Sequence, residues 1–342
     1  MPAPTQTVIR TLDETNAPKV CELYRKIYQE TFPFPEVYDP VLLLENTRKH
    51  RKAHLLAFQG EELLGQVIVT PAPWNPELFE VAGFMTTPEA QGKNVTRPLA
   101  RALRKEVFPS LSWKARYSES VTAHVISQKG DIFLGNTHTA LALNLLPSEL
   151  FLHDPRLCSS SRGSCILSFG EANSSPERTL LPPQYAPQLR ELAEGFLPRT
   201  FQEDCSSPEG ESILQAFPFP AAGAVYLSAS RLGEDFDPQL DRLLEEHDHH
   251  EALILQLPLQ RGIAKAVECA QRRGFSLGGF LPHWFTSGDG MLLQRVKGEP
   301  LWEEIQVLPG RGTALLEMVR QDWEKTFSAE YRKGGDISFQ VR

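Results

Sequence analysis

The alternation of apolar and polar positions divides the chain into short elements. Val8-Ile9-Arg10-Thr11-Leu12 reads as a strand, followed by a helix that Asp13 or Thr15 caps and whose apolar residues Val20, Leu23, Tyr24, Ile27 and Tyr28 recur at helical spacing. Leu42 to His50 predicts a second helix. His54–Phe58 and Leu63–Thr70 predict a hairpin around Gln59-Gly60-Glu61-Glu62. Further strands are expected at Phe79 to Thr86, Ala115 to Ile126 and Ala140 to Leu146. The second half repeats the rhythm with a helix at Pro187 to Leu197, a strand at Ala224 to Ser230 and a helix from Asp237 through Glu246. A strand at Ala252 to Leu257 and a helix at Ile263 to Arg272 follow, then strands at Ser276–Phe280 and Met291–Val296 with His283-Trp284-Phe285 in the loop between them. A last helix is expected around Thr313–Phe327.

Strands interleaved with helices in both halves predict an α/β fold: a mixed, mostly antiparallel sheet flanked by helices, used twice. The Ser/Pro-rich runs at 154–163 and 171–178 mark the boundary. The expected organisation is a first domain at 1–155, a linker at 156–178, a second domain at 179–297 and a helical extension at 298–342. A length of 342 residues fits two cores.

Composition narrows the function classes. With 35 basic and 43 acidic residues the net charge is -8. That argues against a nucleic-acid partner, which selects for a basic face. Arg48-Lys49-His50-Arg51-Lys52 reads as solvated surface. No signal peptide or membrane span is read, and the five cysteines lack CxxC spacing, so reduced thiols in a cytoplasm are expected, without disulfides or zinc. The cluster His247-Asp248-His249-His250 reads as a helix end, where the dipole favours histidine, and no metal site is expected.

One stretch carries chemistry. Thr86-Thr87-Pro88-Glu89-Ala90-Gln91-Gly92-Lys93-Asn94-Val95-Thr96 joins a strand end to a new helix. Such a helix start exposes unpaired N–H groups and partial positive charge, which favour an anion such as a phosphate. Gly92 permits close approach of backbone, and Asn94 tolerates left-handed geometry. Lys93 and Arg97 add charge.

This stretch, with the order of elements, resembles the GNAT superfamily of acyl-CoA-dependent N-acyltransferases, whose pyrophosphate motif is Q/R-x-x-G-x-G/A. Gln91 fits the first position; Asn94 and Thr96 stand where the family has glycine or alanine. Ser120-Val121-Thr122-Ala123-His124-Val125-Ile126-Ser127-Gln128-Lys129 is similar to a segment of bacterial tandem-GNAT proteins. So are Leu255–Leu259, Arg273–Pro282 and Asp289–Gln294 in the second half.

The resemblance implies acetyl-CoA or another acyl-CoA held by Gln91, Gly92, Lys93, Asn94, Val95, Thr96 and Gln128. The backbone of Phe84, Met85 and Thr86 would lie along the pantetheine arm. Glu80 is the expected general base, and His124 and Ser127 are further candidates for acid–base or hydrogen-bonding work. The tyrosine that usually serves as acid in that family has no match; Asn136, Thr137 and His138 occupy its region. The implied activity is acyl transfer to a small-molecule or peptide amine between the two domains, the second copy being degenerate and a homodimer left open. Alternatives are an enzyme acting on a carrier-tethered acyl group and a non-catalytic acyl-CoA sensor.

Overall fold

The computed structural model describes residues 7–148, 162–172, 177–196 and 198–333. The fold is mixed α/β, and the chain divides into two compact units. The first comprises Met1–Thr137, Leu146–Ser175 and Leu301–Gln306; the second comprises His138–Leu145, Pro176–Pro300 and Val307–Arg342.

In the first unit β1 (Thr7–Thr11) is followed by helices α1 (Ala17–Tyr28) and α2 (Pro40–Lys49). The strands β2 (Ala53–Gln59), β3 (Glu62–Ala72) and β4 (Asn75–Thr86) form a meander, and α3 (Thr96–Ala102) follows the turn at 87–95. Then come β5 (Ala115–Val121), α4 (Ile126–Leu134), β6 (Thr137–Leu146), most of which belongs to the second unit, and β7 (Gly163–Glu171). The strand order in this unit is β1-β2-β3-β4-β5-β7. All neighbours are antiparallel except β4 and β5.

Each face of this sheet is covered by the helices whose apolar stripes the sequence displays. Leu99, Leu103 and Val95 pack on Val67, Phe79 and Val81. On the other face, Val20, Leu23 and Tyr24 of α1 pack on Leu56, Phe58 and Met85. The register of β3 against β4 shifts between Gln66 and Ile68, and Gly83 takes up the extra length at φ 62°, a conformation glycine adopts without a Cβ penalty.

In the second unit β8 (Glu177–Leu181) and β9 (Arg199–Glu203) pair in parallel and flank α5 (Ala186–Ala193). The larger sheet contains β10 (Ile213–Phe219), β11 (Ala224–Arg231), β12 (Ala252–Pro258), β13 (Ser276–Phe285) and β14 (Gly288–Val296). Helices α6 (Phe236–His247), α7 (Ile263–Gln271) and α8 (Arg311–Lys333) accompany it. Its order is β6-β13-β14-β12-β11-β10, with β11 and β12 parallel. The larger sheet of each unit therefore contains one parallel pair, joined through a helix, with a later strand added antiparallel beside it.

Four expectations are corrected. The strand expected at Ala115 to Ile126 ends at Val121, because Gln128, Asp131 and Leu134 turn inward at helical spacing and draw 126–134 into α4. Inside the expected 156–178 linker lies β7, whose Cys165, Ile166, Leu167 and Phe169 are buried; residues 149–161 and 173–176 lie outside the described residues. His283-Trp284-Phe285 belongs to β13 instead of a loop, with Trp284 1% exposed. Finally, β6 is divided from the rest of the expected first domain, since His138–Leu145 is counted with the second unit.

Cys21, Cys165, Cys205 and Cys269 are free thiols; Cys158 lies outside the described residues. Among the described residues no helix is long and apolar enough to cross a membrane.

Candidate active site

The parallel pairing of β4 and β5 runs from Leu78–Ala115 through Phe79–Arg116 to Glu80–Tyr117 and stops there. Beyond that point the two strands no longer share a ladder, although β4 continues to Thr86 and β5 to Val121. Glu80 stands at the point of separation.

Cross-strand pairing fixes its neighbours. Glu80 is opposite Thr70 on one side and Tyr117 on the other, and Tyr117 is opposite Phe169 of β7. Directly opposed residues share a face of a sheet, so this row lies on the α1–α2 face. Lys52, just before the Ala53–Val69 pair, extends the row. Glu119, two residues beyond Tyr117, falls on the same face.

Both carboxylates are half-buried. Burial pushes the Glu80 carboxyl up, with the Lys52 charge opposing the shift. Burial and, secondarily, the Glu80 charge push Glu119 up to about 8. Burial also pulls the Lys52 ammonium down, against the charges of Glu36 and Glu80. Beneath the row, His54 Nε2 contacts Gln66 Oε1 at 2.9 Å, and Gln66 Nε2 donates to the Tyr24 hydroxyl at 3.2 Å. Burial holds His54 down to about 4, so it is neutral at physiological pH.

These shifts have opposite consequences for stability. The folded pKa of His54 is depressed, so its contribution is full above about 6.5 and is lost as pH falls through about 4. That of Glu119 is raised, so its contribution is full below about 4.5 and is lost as pH rises through about 8. Between pH 6.5 and 8.5 the Glu119 effect amounts to about 2 kcal/mol. Denaturation at these two pH values should show a fall in wild-type stability that Glu119→Gln reduces by that amount; equal falls in both proteins would refute the assignment.

The turn after β4 is shaped by two left-handed residues. Thr87 N–H closes the strand on Leu64 O at 2.9 Å, and Pro88–Ala90 makes a single tight turn. Gly92 (φ 77°) and Asn94 (φ 59°) then reverse the chain into α3. Asn94 thus adopts the conformation for which a glycine is usual. A Cβ at Gly92 would meet nothing within 4 Å. Among the described residues no side chain caps α3, no acidic residue occupies its first turn, and Gln91, Gly92, Lys93 and Asn94 are exposed. Val95 turns inward beside Gly65, and Thr96 is half-buried at the start of the helix.

The corresponding turn of the second unit, between β11 and α6, is closed. Gly233 N–H donates to Ser212 Oγ at 2.8 Å and Glu234 N–H to Gly210 O at 2.8 Å. Glu234, Asp235 and Asp237 crowd the same helix start with negative charge, which repels a phosphate.

The other expected residues are distributed over neighbouring elements. Phe84 packs toward α3, Met85 toward α1, and Thr86 pairs with Gly65. His124 lies in the turn before α4 and not on β5, and its Nδ1 accepts the Ile126 N–H at 3.3 Å. Ser127 is in the first turn of α4, with its Oγ buried. Gln128 is fully buried; its Nε2 donates to His124 O at 3.2 Å and Gln306 O at 2.8 Å, so this amide ties two segments of the unit together. Asp131 anchors α4 by accepting from Ser118, Ser120 and Ser168; burial outweighs these bonds and pushes it up to about 6.

The structure thus places Glu80 with Lys52 and Glu119, two residues that the sequence reading did not select. A signal for Glu119 existed. It is the one charged residue on the Tyr117 side of a strand paired with Glu80.

Residues 17–120 match the acetyltransferase (GNAT) family model. A search of the curated proteins finds no match. Among solved structures the chain is similar to an N-acetyltransferase from Staphylococcus aureus Mu50, at 11% identity over 48% of this chain and 98% of that one, with a TM-score of 0.40. It is similar also to yncA of Salmonella typhimurium, solved with its cofactor acetyl-CoA, at 15% identity over 49% and 95%, TM-score 0.41. A spermidine N-acetyltransferase from Vibrio cholerae, in complex with CoA and spermine, shows 18% identity over 48% and 95%, TM-score 0.37. Likeness at this level carries no information on the acceptor. The family match over residues 17–120 covers the meander, the open turn and Glu80, and this part of the chain is a domain of the GNAT acetyltransferases, which use acetyl-CoA.

Proposed function

We propose that the first unit transfers an acetyl group from acetyl-CoA to a primary amine bound on the α1–α2 face beside Glu80. The observation that carries this reading is the uncapped, cation-flanked turn at the end of β4, the strand on which Glu80 sits. The exposed turn fits a diphosphate: Gly92 leaves room for backbone contact, and Lys93 and Arg97 supply positive charge. When bound, acetyl-CoA supplies a thioester carbonyl open to attack by an amine.

The protein's own residues do the rest. The amides of the turn orient the diphosphate, apart from the Lys93 N–H, which donates to Ala90 O at 3.1 Å. The part of β4 beyond Glu80, freed from β5, offers backbone to an extended arm along Phe84, Met85 and Thr86. The amine reacts in its neutral form, and Glu80 removes the proton that its nitrogen loses as the C–N bond forms, a task suited to a carboxylate whose affinity for protons is raised by burial. The half-buried charged row of Lys52, Glu80 and Glu119 favours an enzyme over a sensor, whose binding cavity would be sealed with apolar side chains.

The second unit, in this reading, is a second copy of the architecture whose phosphate turn is closed by Ser212 and Gly210. Calorimetry should therefore give one acetyl-CoA per chain, and a stoichiometry of two would overturn the assignment. Acetyl-CoA at 100 times its Kd should stabilise the protein by about 2.7 kcal/mol. Reversing both cations with Lys93→Glu and Arg97→Glu should raise Kd about tenfold, on the order of 0.3–1 kcal/mol per charge at a helix start. An unchanged Kd would move the cofactor elsewhere.

A further inference from the structure

The nitrogen that attacks a thioester must lose a proton, and the sulfur that leaves must gain one. Glu80 meets the first need. The second calls for a group that carries a proton at neutral pH and stands where β4 and β5 separate.

The surroundings of that point leave few candidates. Ser118 and Ser120 point to the opposite face, where their hydroxyls bond Asp131. Tyr117 is 4% exposed and its ring stacks on Phe169 at 5.8 Å between centroids. Cys165 of β7 is buried, and its thiol is pushed well up by burial and by the Glu119 charge. Lys52 lies on the far side of Glu80, two strands away in the row, with Glu36 beyond it. Of these titratable groups Glu119 alone combines partial exposure, the correct face and a position past the last Glu80–Tyr117 pair.

We propose that Glu119 is the general acid of this site and forms with Glu80 a two-carboxylate proton relay across the split between β4 and β5. The inference rests on the acetyltransferase reading and assigns it a second catalytic residue. Glu80 accepts the proton lost by the nitrogen as the C–N bond forms. Glu119 gives its proton to the sulfur as the C–S bond breaks. Passage of a proton from Glu80 to Glu119 restores both groups, so a thioester and an amine become an amide and a thiol with no proton left over. Burial and the Glu80 charge keep Glu119 protonated up to about pH 8, whereas an ordinary glutamate would have given up its proton. Because the two groups repel each other's charge, one proton is shared between them.

The direct test needs no acceptor. In the full chain labelled with 13C at the glutamate carboxyls, one resonance should titrate near pH 8, and Glu119→Gln should remove it. Glu80→Gln should move it down, since the opposing charge is gone. A Glu119 that titrates in the ordinary carboxylate range, or that ignores Glu80→Gln, overturns the proposal.

Turnover supplies the second readout. Thiol release from acetyl-CoA is followed from pH 6 to 9.5 with benzylamine, ethylenediamine and an alanyl peptide. Wild type should lose activity above about pH 8, whereas Glu119→Gln should be slower by 10²–10³-fold, without that alkaline limb, and with its acetyl-CoA thermal shift intact. A variant with wild-type rate and profile overturns the role of Glu119 and leaves the acetyltransferase reading standing. Absence of both thermal shift and thiol release in wild type overturns the two together.

Discussion

Replacing Glu80 by Gln should lower kcat/KM for acetyl transfer by 10²–10⁴-fold, the usual contribution of a positioned base. The substitution keeps the side chain's shape at a position opposed by Thr70 and Tyr117, so the ladder on either side is undisturbed. It removes the charge next to Lys52 and the site that receives the proton of the attacking nitrogen. The turn at 87–95, which carries the diphosphate in our reading, is untouched, so the acetyl-CoA thermal shift should equal that of wild type. The pH profile gives the sharper discrimination. A base must be ionised, so wild-type activity should rise through the elevated Glu80 pKa, and Glu80→Gln should lack that acid limb. Thiol release measured from pH 5 to 9 tests both statements. A rate within threefold of wild type would remove Glu80 from the chemistry.

How far the sequence announced this site depends on the range of the interaction that defines each part. The turn that carries the phosphate in our reading is local: Gln91 through Thr96 are contiguous, and the two left-handed residues and the neighbouring cations are visible in a string of letters. Glu80 was legible because it lies on the strand that feeds the turn. Lys52 and Glu119 were not, because their place in the row follows from the registers of β2 on β3, β3 on β4 and β4 on β5. A one-residue slip in any of these would turn the side chains to the other face. Lys52 in particular sits in a basic run that reads as solvated surface, and only the fold shows it beside Glu36 and Glu80.

The elements themselves were mostly legible, and the misplacements share a cause. Local alternation through Ala115 to Ile126 predicts a strand that includes His124. The helix α4 prevails because Asp131 finds three serine hydroxyls on β5 and β7, a tertiary contact without trace in local periodicity. The strand β7 was hidden for a related reason. Its near-continuous apolar pattern is brief and bounded by Ser- and Pro-rich runs, so punctuation outweighed it.

A second large effect is expected in the other unit, where chemistry-bearing residues serve stability. Asp289 accepts from Arg199 Nε at 2.6 Å and Nη2 at 3.1 Å, from Thr179 Oγ1 at 2.9 Å and from the His283 N–H at 2.9 Å. Glu177 and His283 bring ligand-type atoms within 4.8 Å of it, a grouping that superficially suits a metal. The four donors occupy both oxygens of Asp289, and the guanidinium already supplies the cation, so the arrangement is a closed ion pair joining β8, β9, β13 and β14. Its side chains are 2% and 1% exposed. Removing one partner from such a pair strands a buried charge, so Arg199→Met should destabilise the second unit by about 3–5 kcal/mol. Removing both charges with Arg199→Met and Asp289→Leu should cost less than the single substitution, because only the neutral donors of Thr179 and His283 are then left unpaired. Chemical denaturation of the three proteins decides between this account and a metal centre: an ion pair predicts that added zinc or a chelator leaves wild-type stability unchanged, whereas a chelator-sensitive midpoint would show that a cation holds these strands together.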